Sequence, residues 1–156
     1  MILLRRTIWT ILVAMVPAVE VKGAIPFGIA LGLHPVLAYV AALIGSGIVL
    51  CFLAFFTNWF YRLCKRKQWL KRFIGWIDKI VTKNHDKIRR FGPWGIFAYV
   101  AVPIPGTGTW TGSIIAGVLN MKPKIIILCV FFGNMVSGLI ISLASTGLVS
   151  ALDKFS

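Results

Sequence analysis

Glu20 and Lys22 stand two residues apart in a stretch with no other charge, and Glu20 is the one carboxylate lying within the apolar runs of the chain. An acidic side chain among apolar neighbours is costly to ionise unless it is paired or wet, and such residues commonly mark ion and proton paths. Glu20 could therefore take up and release a proton, and so couple movement of another solute to a proton gradient. Lys22 offers the alternative: burial opposes charge on either group while mutual attraction favours it, so the two could form an ion pair that only fixes a turn. Both roles stay open on the residues alone.

A second group of polar atoms interrupts another apolar run at Pro103-Ile104-Pro105-Gly106-Thr107-Gly108-Thr109, followed by Trp110 and Thr111. Gly106 and Gly108 allow a tight turn and close backbone approach. The hydroxyls of Thr107, Thr109 and Thr111 lie where a helix would begin again, and the free N–H groups of such an end favour an anion. The competing reading is that the glycines only permit the turn and the threonines bond back to their own helix. Asn134 could face the same place or join two helices, while Gly45-Ser46-Gly47 and Gly138 read as close-packing surfaces. Three cysteines without CxxC spacing make neither a disulfide framework nor a metal site, so no metal and no cofactor is expected. GxSxG, a Cys–His pairing and a carboxylate pair among the apolar runs are all lacking, which argues against an enzyme.

The elements that must hold these residues are set by composition. Of 156 residues 58% are hydrophobic and 13% charged, and the mean hydropathy is +0.88, which places the chain in the membrane class. Val36 to Phe60 and Ile125 to Val149 are each long enough to cross about 30 Å of hydrocarbon. Pro35 and Pro123 open them, as proline does in a first helical turn, and Trp59 and Tyr61 would anchor the end of the first. The remaining apolar arms are short. Thr7 to Val19 reaches about 20 Å and Ala24 to Leu33 about 15 Å, separated by a break at Pro17–Gly23, with Pro26 just after it. Trp94 to Val102 and Trp110 to Leu119 flank the break at Pro103–Thr109. A broken helix leaves peptide groups that hydrocarbon cannot satisfy, so such breaks belong where they are packed in protein or line a wet cavity, and paired breaks in two halves point to a transport site.

The two halves correspond in position. Gly45 follows Pro35 by ten residues and Gly133 follows Pro123 by ten, and all seven prolines lie within Pro17–Pro35 and Pro93–Pro123. The expected architecture is all-α and integral to the membrane, a single domain over 1–156. It has two inverted repeats, about 7–61 and 91–150, each a broken re-entrant hairpin plus one transmembrane helix. A kinked but fully spanning pair is the alternative; the short arms favour re-entry. Between the repeats, 62–90 carries eleven Lys or Arg against Asp78 and Asp86, hence +9 of the net +13. Trp69, Phe73 and Ile80 recur there at helical spacing, predicting a basic amphipathic helix lying on the membrane surface. Arg62, Lys65, Arg66, Lys67, Lys71, Arg72 and Lys79 would touch lipid headgroups, and the positive-inside rule makes this segment cytoplasmic. The charge is thus explained without nucleic acid.

Glu20-x-Lys22-Gly23-Ala24-Ile25-Pro26 with Gly28, Ala30 and Gly32, and Pro103-x-Pro105-Gly106-Thr107-Gly108-x-Trp110-Thr111-Gly112, resemble the two motifs of the putative small multidrug export proteins. The chain is also similar in plan to the wider DedA group, whose opposed re-entrant hairpins are linked to moving lipid phosphates. It departs from that group in having no arginine between Pro93 and Leu119, so no residue role is carried over. The resemblance implies a multi-pass transporter of the prokaryotic plasma (inner) membrane, moving an amphiphilic substrate that is either lipid-phosphate-like or drug-like. Two spans and two hairpins offer little internal packing surface, so a homodimer is expected. The other functional class left open is a membrane-organising or regulatory protein that acts through its basic helix.

Overall fold

The computed structural model describes residues 1–17, 19–66, 92–104, 106–119 and 121–155. Among them every element is helical: α1 (Ile2–Met15), α2 (Glu20–Ala30), α3 (Pro35–Arg66), α4 (Pro93–Ala101), α5 (Thr109–Val118) and α6 (Pro123–Phe155). Two short helices precede a long one, twice over.

The long helices carry the candidate membrane spans, Pro35–Phe56 of 22 residues and Pro123–Gly147 of 25. At 1.5 Å per residue these reach about 33 and 38 Å, enough to cross hydrocarbon. Each opens on its proline, as the sequence predicts. Val36, Val40, Ile44, Ile48 and Phe52 form an exposed stripe along α3, and Leu128, Phe132, Val136, Leu139 and Leu143 do so along α6. Continuous apolar stripes of this length suit lipid and would be an aggregation hazard in water.

The short helices differ from expectation at their ends. α1 starts at Ile2, so Arg5 and Arg6 lie inside it, and it stops at Met15. The first break is shorter than Pro17–Gly23, because helical bonding resumes before the glycine: the Gly23 amide donates to the Val19 carbonyl at 2.8 Å. Lys22, Gly23 and Pro26 therefore belong to α2. Pro26 is the seventh residue of α2 and, having no N–H, leaves the Lys22 carbonyl without its ladder bond. The boundary at 62 also moves. α3 continues through Arg66, so Arg62, Lys65 and Arg66 prolong the first long helix instead of opening a separate linker. Lys67, Lys71, Arg72 and Lys79, and the amphipathic helix predicted around them, lie outside the described residues.

Two apolar cores sit at opposite ends. One joins Ala14, Val21, Ala24, Ile25 and Ala42, with Ile141 from late in α6 packed against it. The other joins Ile96, Val100, Ala116, Ile126 and Val130 to Leu50 and Ala54 from late in α3. The start of each long helix thus packs beside the far part of the other, so α3 and α6 run antiparallel. Between the cores the helices approach closely at two glycines. A side chain on Gly45 would strike the Ile11 carbonyl and Ala14 of α1, and one on Gly133 would meet Val100 at 2.8 Å and the Phe97 carbonyl of α4 at 3.0 Å. Each glycine admits the first short helix of its own half. Gly138 is likewise a close-packing position within the chain, lying against Val21 and Tyr39.

Candidate functional site

The level between the two cores is where the breaks meet. Glu20 is 6% exposed and opens α2 with φ at 49°, a left-handed conformation that costs energy for a residue with a Cβ. It persists because the side chain is held. Glu20 Oε1 accepts the Trp110 backbone N–H at 2.9 Å, and Trp110 is the second residue of α5. A carboxylate at this place satisfies one orphan amide and complements the positive end of the helix dipole. Gly108, the residue before α5, supplies the room, since any Cβ there would overlap the Glu20 carboxylate.

Lys22, one turn into α2, reaches the other side of the same break. Its Nζ donates to the carbonyls of Val102 at 3.0 Å, Ile104 at 2.9 Å and Thr107 at 2.6 Å, and to Thr107 Oγ1 at 2.6 Å. Val102 ends α4, so these include the carbonyls that a broken helix leaves without partners, and a cation there suits the negative end of the dipole. The first break thus sends its carboxylate to the amino end of α5 and its ammonium to the carboxyl end of α4. Lys22 and Glu20 do not simply pair with each other, the role weighed from the sequence; each caps one end of the opposite break.

The turn between α4 and α5 is fixed locally. Gly106 has φ of 87°, which glycine adopts freely. Thr111 Oγ1 donates to the Gly106 carbonyl at 2.6 Å and accepts the Gly108 N–H at 3.1 Å. Thr107 Oγ1 lies 2.8 Å from both the Val102 and the Ile104 carbonyls. Thr107 and Thr111 therefore serve their own turn, Thr107 also receiving Lys22. Thr109 differs. Its Oγ1 is 2.7 Å from Ser46 Oγ, and Asn134 Nδ2 donates to Thr109 Oγ1 at 2.8 Å and to Ser46 Oγ at 2.9 Å. All three residues are almost fully buried, so α3, α5 and α6 are tied together at mid-span. The sequence marks Ser46 only as part of a close-packing surface. The signal that finds it is positional: Ser46 follows Gly45 as Asn134 follows Gly133.

Of the residues singled out by sequence, Glu20, Lys22, Gly106, Thr107, Gly108, Thr109, Trp110, Thr111 and Asn134 come together. Pro103 lies on the same turn, between two carbonyls that Lys22 reaches. Gly23 packs against Val19, Pro26 lies further along α2, and Pro105 is outside the described residues. Three buried polar atoms have no hydrogen bond among the described residues: Trp110 Nε1, Ser113 Oγ and Ser137 Oγ. No group of three His, Cys, Asp or Glu able to hold a metal occurs among the described residues.

A groove of about 640 Å³ opens on the flank of α4 and α6, lined by Tyr39, Trp94, Phe97, Cys129, Phe132 and Met135 among others. Tyr39 forms one wall, its hydroxyl donating to the Met135 carbonyl at 3.0 Å. The same ring approaches Gly138, which Val21 reaches from α2. The groove therefore lies one side chain away from the helix turn that carries Glu20.

Chemically, the site offers four oxygens converging on an ammonium and an amide end holding a carboxylate. The family model described as a putative small multi-drug export protein matches residues 20–140, which include Glu20 and Lys22, the second break, the first span and most of the second. No curated protein and no solved structure matches the chain.

Proposed function

The chain belongs to that small multidrug export family, and we propose that it carries amphiphilic cations across the membrane in exchange for protons, with Glu20 as the shared site. In this reading each pair of short helices enters and leaves on one side. The two halves are inverted, and their tips meet near the middle of the bilayer. Three observations support that arrangement: arms of 14, 11, 9 and 10 residues, each of them too short to cross; long helices packed antiparallel; and Gly45 and Gly133 doing the same task in each half. The protein then resides in the plasma membrane with the basic segment after α3 in the cytoplasm.

The observation that carries the functional reading is the cage around Lys22. Four oxygens already arranged for an ammonium make a cation site, which Lys22 fills as a tethered occupant. An anionic head finds less here, since the amide end of α5 that would receive it is taken by Glu20. When Glu20 is protonated, its charge-assisted bond to Trp110 weakens and the clasp between the breaks loosens. Lys22 can then withdraw and a guest ammonium can enter beside the carboxylate, releasing the proton. One positive charge replaces another, so the buried region is never left with an additional net charge. The apolar body of the guest has the groove beside Tyr39.

The test is flux in proteoliposomes. In the native protein an imposed proton gradient should drive ethidium in the direction opposite to proton flow and should not drive a fluorescent phosphatidic acid, while Glu20→Gln should uncouple ethidium flux from pH. Gradient-driven phosphatidic acid flux without ethidium flux would reject the cation reading.

A further inference from the structure

The open end of the first hairpin holds two arginines that the transport site does not use. Arg5 and Arg6, with Trp9, Phe27, Ala30 and Leu31, line a cavity of about 770 Å³ between the start of α1 and the end of α2. Glu20 is the one acid whose side chain is described, and it is committed to Trp110 at the opposite end of the hairpin. Among the described residues neither guanidinium is satisfied by a hydrogen bond or an ion pair. Yet Arg6 is not loose: Gly32, with φ of 82°, turns the chain so closely over it that a Cβ would lie 2.9 Å from one guanidinium nitrogen. Two cations lining one cavity, with no described acid near them, form a site that asks for an anion.

We infer that this cavity binds the phosphate of an anionic phospholipid. Guanidinium groups match phosphate oxygens through paired N–H donors. The depth is right, because the cavity wall ends at Leu31, four residues before the first span begins at Pro35, and headgroups sit where spans begin. Trp9 and Phe27 are 53% and 38% exposed and lie on the bilayer-ward side of the arginines, one turn along α1 and before the end of α2. Aromatic side chains are favoured at this level, and there they would flank the glycerol and upper acyl chain. A free phosphate would meet the arginines but has no use for that apolar wall. The bound lipid would pin the outer end of the hairpin whose inner tip carries Glu20 and Lys22.

Photoreactive phosphatidylglycerol and phosphatidylcholine, each incorporated in vesicles with the full-length protein, test this by mapping labelled peptides. Phosphatidylglycerol should label the Trp9–Leu31 region in preference to phosphatidylcholine. In an Arg5→Gln/Arg6→Gln variant that labelling should fall at least about tenfold, the loss of a charge-assisted pair, with labelling of α6 unchanged as the internal control. Excess inorganic phosphate should not compete. Equal labelling by both lipids in the native protein overturns the inference without any variant. So does undiminished labelling in the double variant, and full competition by inorganic phosphate would make the free ion the ligand.

Discussion

The Glu20 carboxylate lies directly on Gly108, in the space that a side chain there would fill. Glu20 stands as far before Pro35 as Gly108 does before Pro123, so the two residues occupy equivalent places in the two halves and touch each other. Ser46 and Asn134, each one residue past the equivalent glycines, are likewise hydrogen bonded to each other. Contacts between positions at equal distances from the two prolines accord with the proposed inversion of the halves. The chemistry is concentrated where the halves stop being alike: acid on one side, no side chain on the other.

Gly108→Ala should therefore displace the carboxylate from the amino end of α5. Overpacking of this kind costs about 1–3 kcal/mol, so a lowered melting temperature in detergent is expected together with loss of proton coupling. A variant with native stability and native coupling would show that Glu20 need not sit where it does.

Removing the tethered ammonium should leave the oxygen cage empty. Lys22→Ala is expected to lose stability, chiefly because the part-buried Thr107 carbonyl loses its ammonium donor, at a cost of about 1 kcal/mol or more. A small alkylammonium such as propylammonium should restore part of the melting temperature in Lys22→Ala and leave the native protein unmoved. Equal response of both proteins would mean that the cage does not admit a guest.

The mid-span triad makes a smaller, separable contribution. Asn134→Leu should cost about 1 kcal/mol, the usual scale of interhelical hydrogen bonds in membranes. Combined with Ser46→Ala in a double-mutant cycle, it should show non-additivity, because both act on the same bond. Strict additivity would place the Asn134 contribution elsewhere.

Topology can be read by thiol labelling from either side of sealed vesicles, in a background with Cys51, Cys64 and Cys129 replaced. Cysteines at Leu3 and His34 should label from one side and a cysteine at Lys122 from the other. Labelling of Leu3 and His34 from opposite sides would mean that α1 and α2 together span the bilayer.

Much of this was legible in the sequence because prolines and apolar length set helix starts. Pro35 and Pro123 begin the long helices, and α4 and α5 fall within a residue of where the break at Pro103–Thr109 puts them. The ends of α1 and α2 were less so. Helix can persist through Arg5 and Arg6, and Gly23 and Pro26 look like a break although both lie inside α2 and the Gly23 amide keeps its bond to Val19. At the site, the residue types gave the candidates but not their partners. A carboxylate beside a lysine suggests a local pair. Only the meeting of the two tips supplies the amide end and the carbonyls that each group prefers. Ser46 escaped notice because a serine between two glycines reads as small before it reads as polar.

In the proposed exchange Glu20 holds a proton or a cation but not both, and proton release on cation binding measures that directly. In weakly buffered detergent solution, binding of a lipophilic ammonium to the native protein should release a proton, and binding to Glu20→Gln should release none. Cation binding with no proton released by the native protein, or equal release by both proteins, would contradict it.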